Sequence, residues 1–412
     1  MFMSCNNESI AQYERSILPK RTKELIQLVC NSIQSTYGIE LKTYRENYVD
    51  YCYAETAAGK ELTYGLGKGC NSKIGAYGEC IEHLLLVLDC CEKKQIYFGQ
   101  CKNYNFDTLL DHASKLNGFD ELEFVKFDAY SEFDKEVYIP HCLVNHNYYN
   151  NKAELSEAEE FFTKYSTTSG TAFGATKIDA ILHGTLELLE RHYTSLLYLN
   201  LLGIDSDAHF SIVNPASFPL ESKKIYSTIK ERSVDLDVTT ITLTNSDNIS
   251  WFLTMCHNPS SREFLPKWGA GCSLNPHVAL YRSLTECLQM VDSTRPDIAE
   301  EKIQYVIEEY PALAAVFFLD VDTLPLQNIS FECSDIKTKK LMELKANEQL
   351  DVLFDTLQKS GRSLYYRELY NEHGYVVTSY ATNTEKFFNV NHCMPSLPLR
   401  ALDETLIKSE LI

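Results

Sequence analysis

The run Ile178-Asp179-Ala180-Ile181-Leu182-His183-Gly184-Thr185-Leu186-Glu187-Leu188-Leu189-Glu190-Arg191-His192-Tyr193-Thr194-Ser195-Leu196-Leu197-Tyr198-Leu199-Asn200-Leu201 decides how the chain is read. Ala180, Ile181, Leu182, Leu186, Leu188, Leu189, Tyr193, Leu196 and Leu197 cover most of a helical circumference. The pattern predicts a largely buried helix over 178–201. Against it, His183, Glu187, Glu190, Arg191 and Thr194 fall at steps of four, three, one and three. At 3.6 residues per turn they form one narrow polar stripe. Two glutamates three apart on a buried helix are costly unless something satisfies them.

Two further stretches repeat the arrangement. In Ile74 to Cys91, the apolar Ile74, Ile81, Leu84, Leu85, Val87 and Leu88 surround a face bearing Glu79, Glu82 and His83. A third helix begins near Pro276, a residue suited to a first turn, and runs to about Val291. There Arg282, Glu286 and Gln289 recur at i, i+4 and i+7 among Val278, Leu280, Leu284 and Leu288. A single stripe reads equally well as an interhelical salt bridge or an exposed face. Three together present five carboxylates, two guanidiniums and a Gln. The excess negative charge suits hard divalent cations with oxygen ligands, and Mg²⁺ characteristically comes with phosphates that arginines can also hold. The residues therefore point to a multi-Mg²⁺ nucleotide site made by helices. A carboxylate-bridged di-iron or di-manganese site competes, but it wants Glu-x-x-His on two helices, and His83 and His192 are out of phase for it.

The surrounding chain reads as mixed α/β with several antiparallel pairs. A helix over Lys23 to Ile33 and a Tyr-rich strand around Tyr44 to Ala54 lead to a Gly-rich turn, Gly65-Leu66-Gly67-Lys68-Gly69, that is not a P-loop. Leu122 to Tyr130 and Val137 to Asn145 read as strands, and Tyr165 to Thr171 as a turn. The loop Thr168-Ser169-Gly170-Thr171-Ala172-Phe173-Gly174, just ahead of the second stripe, is nucleotide-facing on this reading. Val238 to Leu243 and Ser250 to Cys256 form a hairpin-like pair, and Trp268-Gly269-Ala270-Gly271 precedes the third helix. Helices are predicted over 298–314 and 338–359, before strands at 363–368 and 374–380. No Gly-x-Ser-x-Gly elbow is present.

Composition bounds the partners. With 38 Lys plus Arg against 57 Asp plus Glu, the 412-residue chain carries a net charge of −19. That argues against a nucleic-acid surface and against docking on anionic membrane by charge. No signal sequence is visible at Met1 to Lys20, and Leu84 to Leu88 and Leu196 to Leu202 are too short to span a bilayer. The 14 cysteines are scattered, with Cys90, Cys91 and Cys101 densest, and read as reduced and inert in a cytoplasmic protein. Most of the acidity, including Glu300 to Glu309, reads as solvated surface, and the five helix glutamates as an interior set that answers to Mg²⁺ and a nucleotide.

Three of these stretches, in order, resemble the YcaO family. Gly75-Ala76-Tyr77-Gly78-Glu79-Cys80-Ile81-Glu82-His83 is similar to Ser-Ala-x-Gly-Glu-x-x-Glu-Arg. Thr168 to Gly174, then Asp179-Ala180 and Glu187-Leu188-Leu189-Glu190-Arg191, are similar to Ser-x-Gly-x-Ala-x-Gly, acidic-Ala and Glu-x-x-Glu-Arg. Ala279-Leu280-Tyr281-Arg282-Ser283-Leu284-Thr285-Glu286-Cys287-Leu288-Gln289 is similar to Ala-x-x-Arg-Ala-x-Thr-Glu-x-x-Gln. The similarity runs roughly from Glu61 to Phe387, implying an N-terminal region 1–60, a catalytic domain 61–390 and a tail 391–412.

The resemblance implies a mixed α/β ATP-binding fold with antiparallel and mixed sheets and buried carboxylate-bearing helices. It implies Mg²⁺ on Glu79, Glu82, Glu187, Glu190 and Glu286, the triphosphate on Arg191 and Arg282, and Asp179 near the ribose or base. Ser169 and Gln289 complete the nucleotide site, and Glu187, Glu190, Arg191 and Arg282 carry catalysis. In family chemistry a Cys, Ser or Thr of a ribosomal precursor peptide attacks the preceding carbonyl, ATP phosphorylates the oxyanion, and phosphate loss leaves a thiazoline or oxazoline. Thioamide formation by the same activation is the neighbouring outcome, and a non-catalytic scaffold that docks a partner enzyme is the other reading. The implied partners are the precursor peptide, a leader-binding protein and a flavin dehydrogenase, in a homodimer or hetero-oligomer. Gly75 and His83 replace the family's Ser and Arg, and Ala175 stands where Asn is common. Pro395-Ser396-Leu397-Pro398 stands in place of a Pro-x-Pro-x-Pro tail.

Overall fold

The computed structural model describes residues 14–46, 49–69, 71–91, 97, 104, 106–130, 136–204, 207–244, 248–258, 266–292, 300–331 and 341–402. Cys101, Thr244-to-Asn248 hairpin residues 245–247, the helix starts at 298 and 338, and the tail beyond 402 lie outside these.

Chain entry is a helix, α1 (Pro19–Tyr37), with Pro19 at its first position and Gly38 in the left-handed region closing its end, where its N–H donates to Gln34 O. Ile26, Val29 and Ile33 bury one face of it. Three antiparallel strands follow, β1 (Ile39–Glu46), β2 (Val49–Thr56) and β3 (Glu61–Gly67). The boundary drawn at residue 60 therefore falls within one sheet. The helix α2 (Ser72–Cys91) lies across this sheet, packing Ala76, Cys80, Ile81 and Leu84 against Cys52, Ala54 and the α1 face.

Two five-stranded sheets make up the rest of the frame. One has the order β5-β4-β12-β13-β6 and is antiparallel throughout, from β4 (Phe124–Ala129), β5 (Glu136–Pro140), β6 (Thr171–Gly174), β12 (Leu364–Tyr370) and β13 (Tyr375–Ala381). The other has the order β10-β9-β8-β7-β11, from β7 (Phe210–Asn214), β8 (Asp237–Leu243), β9 (Ser250–His257), β10 (Lys267–Ser273) and β11 (Gln327–Ser330). Only the β7–β11 pair is parallel, so the second sheet is mixed. The expected strand over Val137 to Asn145 stops at Pro140, after which His141–Val144 turn helical.

The helix α3 (Lys177–Leu201) runs between these two sheets. Leu186, Leu189, Leu197 and Tyr198 pack with Trp251, Leu253 and Met255 of β9 and Val377 of β13. The helices α4 (Pro276–Asp292) and α5 (Ala346–Lys359) flank it, α4 on the β9–β10 face with Leu280 and Leu284 against Phe252 and Cys256. Burial on this scale, at roughly 25 cal/mol per Å² of apolar surface, is what offsets ordering of the chain.

A single device recurs three times. Each carboxylate-bearing helix follows directly on a glycine-containing strand and lies against it: β3 before α2, β6 before α3, β10 before α4. A Cβ at Gly65 would collide with the Cys80 backbone nitrogen, one at Gly174 with that of Ala180, and one at Gly269 with that of Cys287. Gly65, expected in a turn, and Gly174, expected in a loop, lie in strands, as does Gly269. Their role is close backbone approach. Cys52, Cys80, Cys142, Cys256, Cys272 and Cys287 are buried free thiols. No helix among the described residues is long and apolar enough to cross a membrane.

Candidate active site

The three strand–helix units open onto one cavity of about 700 Å³. Glu79 and Glu82 enter from α2, Glu187, Glu190 and Arg191 from α3, and Arg282, Glu286 and Gln289 from α4. Ser169 joins them from the loop before β6. Gly170 in that loop has φ 92°, a conformation open to glycine and strained for other residues. The three stripes, separated by about a hundred residues each, are thus one wall chemically.

Close strand–helix approach lets backbone N–H groups reach the carboxylates. Leu66 N donates to Glu79 Oε2 at 2.7 Å, Phe173 N to Glu82 Oε1 at 2.5 Å, and Gly170 N to Glu187 Oε2 at 3.4 Å. Glu190 Oε1 lies 3.6 Å from Arg191 Nη1, and Glu187 Oε1 3.9 Å from Arg191 Nη2. Lys68 Nζ donates to Glu286 Oε2 at 2.7 Å. Burial pushes the Glu82 carboxyl up to about 7, with the Glu187 and Glu79 charges adding to the rise against the Phe173 N–H. Burial likewise raises Glu190 to about 7, helped by Glu286 and opposed by Arg191 and Lys68. Glu79 is raised by burial and by Glu187. The set as a whole holds more negative charge than its own cations neutralise.

That charge fits Mg²⁺ with a polyphosphate. Among the described residues no three carboxylate, imidazole or thiol groups converge on one point to hold an ion as they stand. Mg²⁺ does not ask for that: it takes one or two carboxylates plus phosphate oxygens and water. The di-iron alternative fares worse. His192 turns from the cavity, accepting at Nδ1 from Glu385 N (2.9 Å) with Nε2 3.1 Å from Arg362 Nη2.

Two placements differ from the sequence expectation. Asp179, expected beside the ribose or base, is fully buried and absent from the cavity wall. Its Oδ1 accepts from Ser16 N at 2.9 Å and Ser16 Oγ at 2.7 Å, because the chain before α1 lies over the start of α3. Thr194, read as part of the polar stripe, is buried and spends its hydroxyl on Glu190 O at 2.8 Å, a common fate of helical threonine.

The same preceding segment reaches Arg282. Glu14, only 3% exposed, sets Oε2 2.5 Å from Arg282 Nη2 while its Oε1 accepts from Ser273 Oγ at 2.5 Å. Arg15 Nη2 is 2.9 Å from His183 Nε2, and Arg282 Nη2 is 3.1 Å from His183 Nδ1. Burial and these two cations hold the His183 imidazole well below its usual range. A neutral imidazole accepts at one ring nitrogen, so one of these contacts sets N–H against N–H. Glu14, Arg15 and Lys68 went unassigned by sequence reasoning; Lys68 alone had a signal, its place between Gly67 and Gly69 ahead of the first acidic helix.

Fold and site together define an oxyanion-and-hard-cation receptor built on strand–helix units, with the chemistry of a nucleotide-binding enzyme. The chain belongs to the YcaO family, described as "YcaO cyclodehydratase, ATP- and Mg²⁺-binding", which matches residues 66–380. Among solved structures it is similar to YcaO from Methanopyrus kandleri bound with AMPPCP and Mg²⁺, at 17% identity and a TM-score of 0.60, covering 93% of this chain and 96% of that one. A heterocyclase in complex with substrate and cofactor gives 17% identity and a TM-score of 0.62, over 91% of this chain and 54% of that chain. This chain thus spans about half that heterocyclase's length. A chain of the E. coli microcin synthetase McbBCD complex gives 14% identity and a TM-score of 0.52, over 83% and 86%. The cofactors expected from the sequence, ATP and Mg²⁺, are those of the family.

Proposed function

We propose that the protein activates a peptide backbone amide by ATP-dependent phosphorylation, and that it cyclodehydrates Cys, Ser or Thr residues of a ribosomal precursor peptide to thiazolines or oxazolines. The observation that carries this reading is the convergence of Glu79, Glu82, Glu187, Glu190 and Glu286 with Arg191 and Arg282 on one cavity in a chain of this family. ATP with Mg²⁺ supplies the phosphoryl group that converts the amide oxygen, a poor leaving group, into a good one. The glutamates bind Mg²⁺ at carboxylates already aimed by Leu66, Phe173 and Gly170 N–H groups. Arg191 and Arg282 hold phosphate oxygens, and fixed positive charge there stabilises the transferring group without reorganisation. Ser169 and Gln289, at the cavity wall, orient the nucleotide.

The microcin synthetase relative is a multi-protein complex and the heterocyclase relative was captured with substrate, which supports a peptide substrate and a partner protein that binds its leader. Thioamide formation by the same activation is the second outcome, with Pro395-Ser396-Leu397-Pro398 standing where azoline-forming members carry a Pro-x-Pro-x-Pro run. One experiment covers both. The protein is incubated with ATP, Mg²⁺ and synthetic peptides carrying Cys, Ser or Thr, with any precursor peptide and leader-binding protein found encoded beside its gene. Azoline formation gives ATP hydrolysis that depends on the peptide and loss of one water from it. Exchange of oxygen for sulfur, when a sulfide donor is added, assigns the thioamide. Peptide-independent hydrolysis with an unaltered peptide refutes the reading.

A further inference from the structure

Attack on an amide carbonyl by a thiol or hydroxyl requires a group that takes the nucleophile's proton, and the sites assigned above contain none. The glutamates are expected to face metal, and protonated arginine and lysine have no lone pair to take a proton. Three histidines line the cavity. His183 is pinned between Arg15 and Arg282. His83 is hydrogen-bonded through Nδ1 to Tyr64 O at 2.9 Å and belongs to the Glu79–Glu82 end. His392 differs from both: it lines the cavity, is exposed, and has no hydrogen-bond partner among the described residues.

Its position is built. His392 ends the 3₁₀ segment Phe387–His392, and Cys393 turns the chain away with φ 58°. The segment is tied to α3 by Phe388 N donating to Ser195 Oγ at 2.9 Å, with Phe388 under the Arg191 guanidinium at 5.7 Å from the ring centroid. Asn389 Nδ2 reaches Lys164 O at 3.1 Å, fixing the same segment to the chain ahead of the Ser169 loop. His392 therefore stands at the border between the phosphate-holding Arg191 and open cavity. Among the described residues after it, Leu397 N donates to Tyr165 Oη and Leu399 N to Glu385 Oε2.

We propose that His392 is the catalytic base that accepts the proton of the attacking side chain. This rests on the function proposed above. As the sulfur or oxygen bonds to the carbonyl carbon, its bond to hydrogen breaks, the proton passes to an imidazole nitrogen, and the carbonyl π pair moves to oxygen, where phosphorylation follows. The imidazolium returns that proton to water or to the departing phosphate later in the cycle. His392 is open to solvent at its surface, yet the protein packed around it and the Arg191 charge hold the imidazole below its usual range, so it is unprotonated at neutral pH. Phosphate bound on Arg191 would offset that charge and strengthen the base when it is needed.

The test uses the full chain, ATP, Mg²⁺ and synthetic peptides of the form acetyl-Xaa-Gly-Cys-Xaa-amide, with Ser and Thr analogues, alongside any precursor peptide and leader-binding protein found encoded beside its gene. His392→Ala should lower the rate of water loss about 10²-fold or more while ATP affinity by calorimetry stays within about twofold. Added imidazole should restore part of that rate, and His83→Ala should show no such rescue. A His392→Ala rate equal to wild type, loss of ATP binding in that variant, or rescue confined to His83→Ala would each overturn the proposal while leaving the amide-activation reading intact. A wild-type protein that modifies none of these peptides refutes that reading and the proposal with it.

Discussion

Replacing Glu190 by Gln should stabilise the metal-free protein while destroying its response to Mg-ATP. Glu190 is 8% exposed, and its folded carboxyl is raised from 4.5 to about 7, chiefly by burial and then by Glu286. Between those values the folded state keeps a proton that the unfolded state has lost, so stability falls as pH rises through that window and stays low above it. The difference, 7 − 4.5, is about 2.5 units, or roughly 3 kcal/mol at about 1.4 kcal/mol per unit. Gln carries no charge and escapes this penalty at pH 8, but gains nothing at pH 4, where wild-type Glu190 is itself protonated. At roughly 2 cal/mol/K of unfolding entropy per residue, 3 kcal/mol corresponds to about 3 °C in Tm for a chain of this size. Thermal melts of both proteins from pH 4 to 8, with and without Mg-ATP, make the measurement. The wild type should gain stability from Mg-ATP at pH 8 and the variant should not. A variant that melts below wild type at pH 8 without metal, or whose advantage is the same at pH 4, would refute the electrostatic argument.

Other perturbations probe separate links. Gly269→Ala drives a Cβ into the Cys287 backbone nitrogen and should cost about 2 kcal/mol or more, read as a lower denaturant midpoint at unchanged m-value. Glu14→Gln removes the anion on Arg282 and should tighten ATP binding several-fold by calorimetry; weaker binding would mean that Glu14 helps rather than competes. Arg367→Met strips the bidentate partner, at 2.8 Å on both oxygens, from the buried Asp89, whose Oδ2 also faces His141 Nε2 at 2.9 Å. About 3–5 kcal/mol of stability should be lost, measured by urea unfolding.

The three acidic helices were legible because each carries a 3.6-residue apolar pattern over many turns: 178–201 against Lys177–Leu201, and Pro276 to about Val291 against Pro276–Asp292. Their convergence on a single cavity was legible only through the charge they share, since strand order leaves no local trace. The glycine-rich stretches around Gly65 and Gly174 read as turn and loop. Gly65, Gly174, Gly269 and Gly271 have turn-like composition, yet each sits in a strand where a helix backbone leaves no room for a Cβ. Composition cannot separate glycine kept for a positive φ, as at Gly170, from glycine kept for close packing. Asp179 was misplaced for another reason. Its partner Ser16 is 163 residues away, in a segment without periodicity. Lys68 was visible but looked like a failed P-loop, because its partner Glu286 is 218 residues distant.

The central claim is that five glutamates from three helices hold Mg²⁺ for ATP. Calorimetric titration of ATP with and without Mg²⁺ into wild type and into the single Gln variants at Glu79, Glu82, Glu187, Glu190 and Glu286 tests it most directly. The account predicts binding that requires Mg²⁺ in the wild type and falls at least about tenfold in each variant. Equal ATP affinity with and without Mg²⁺, or variants that bind as the wild type does, would contradict it.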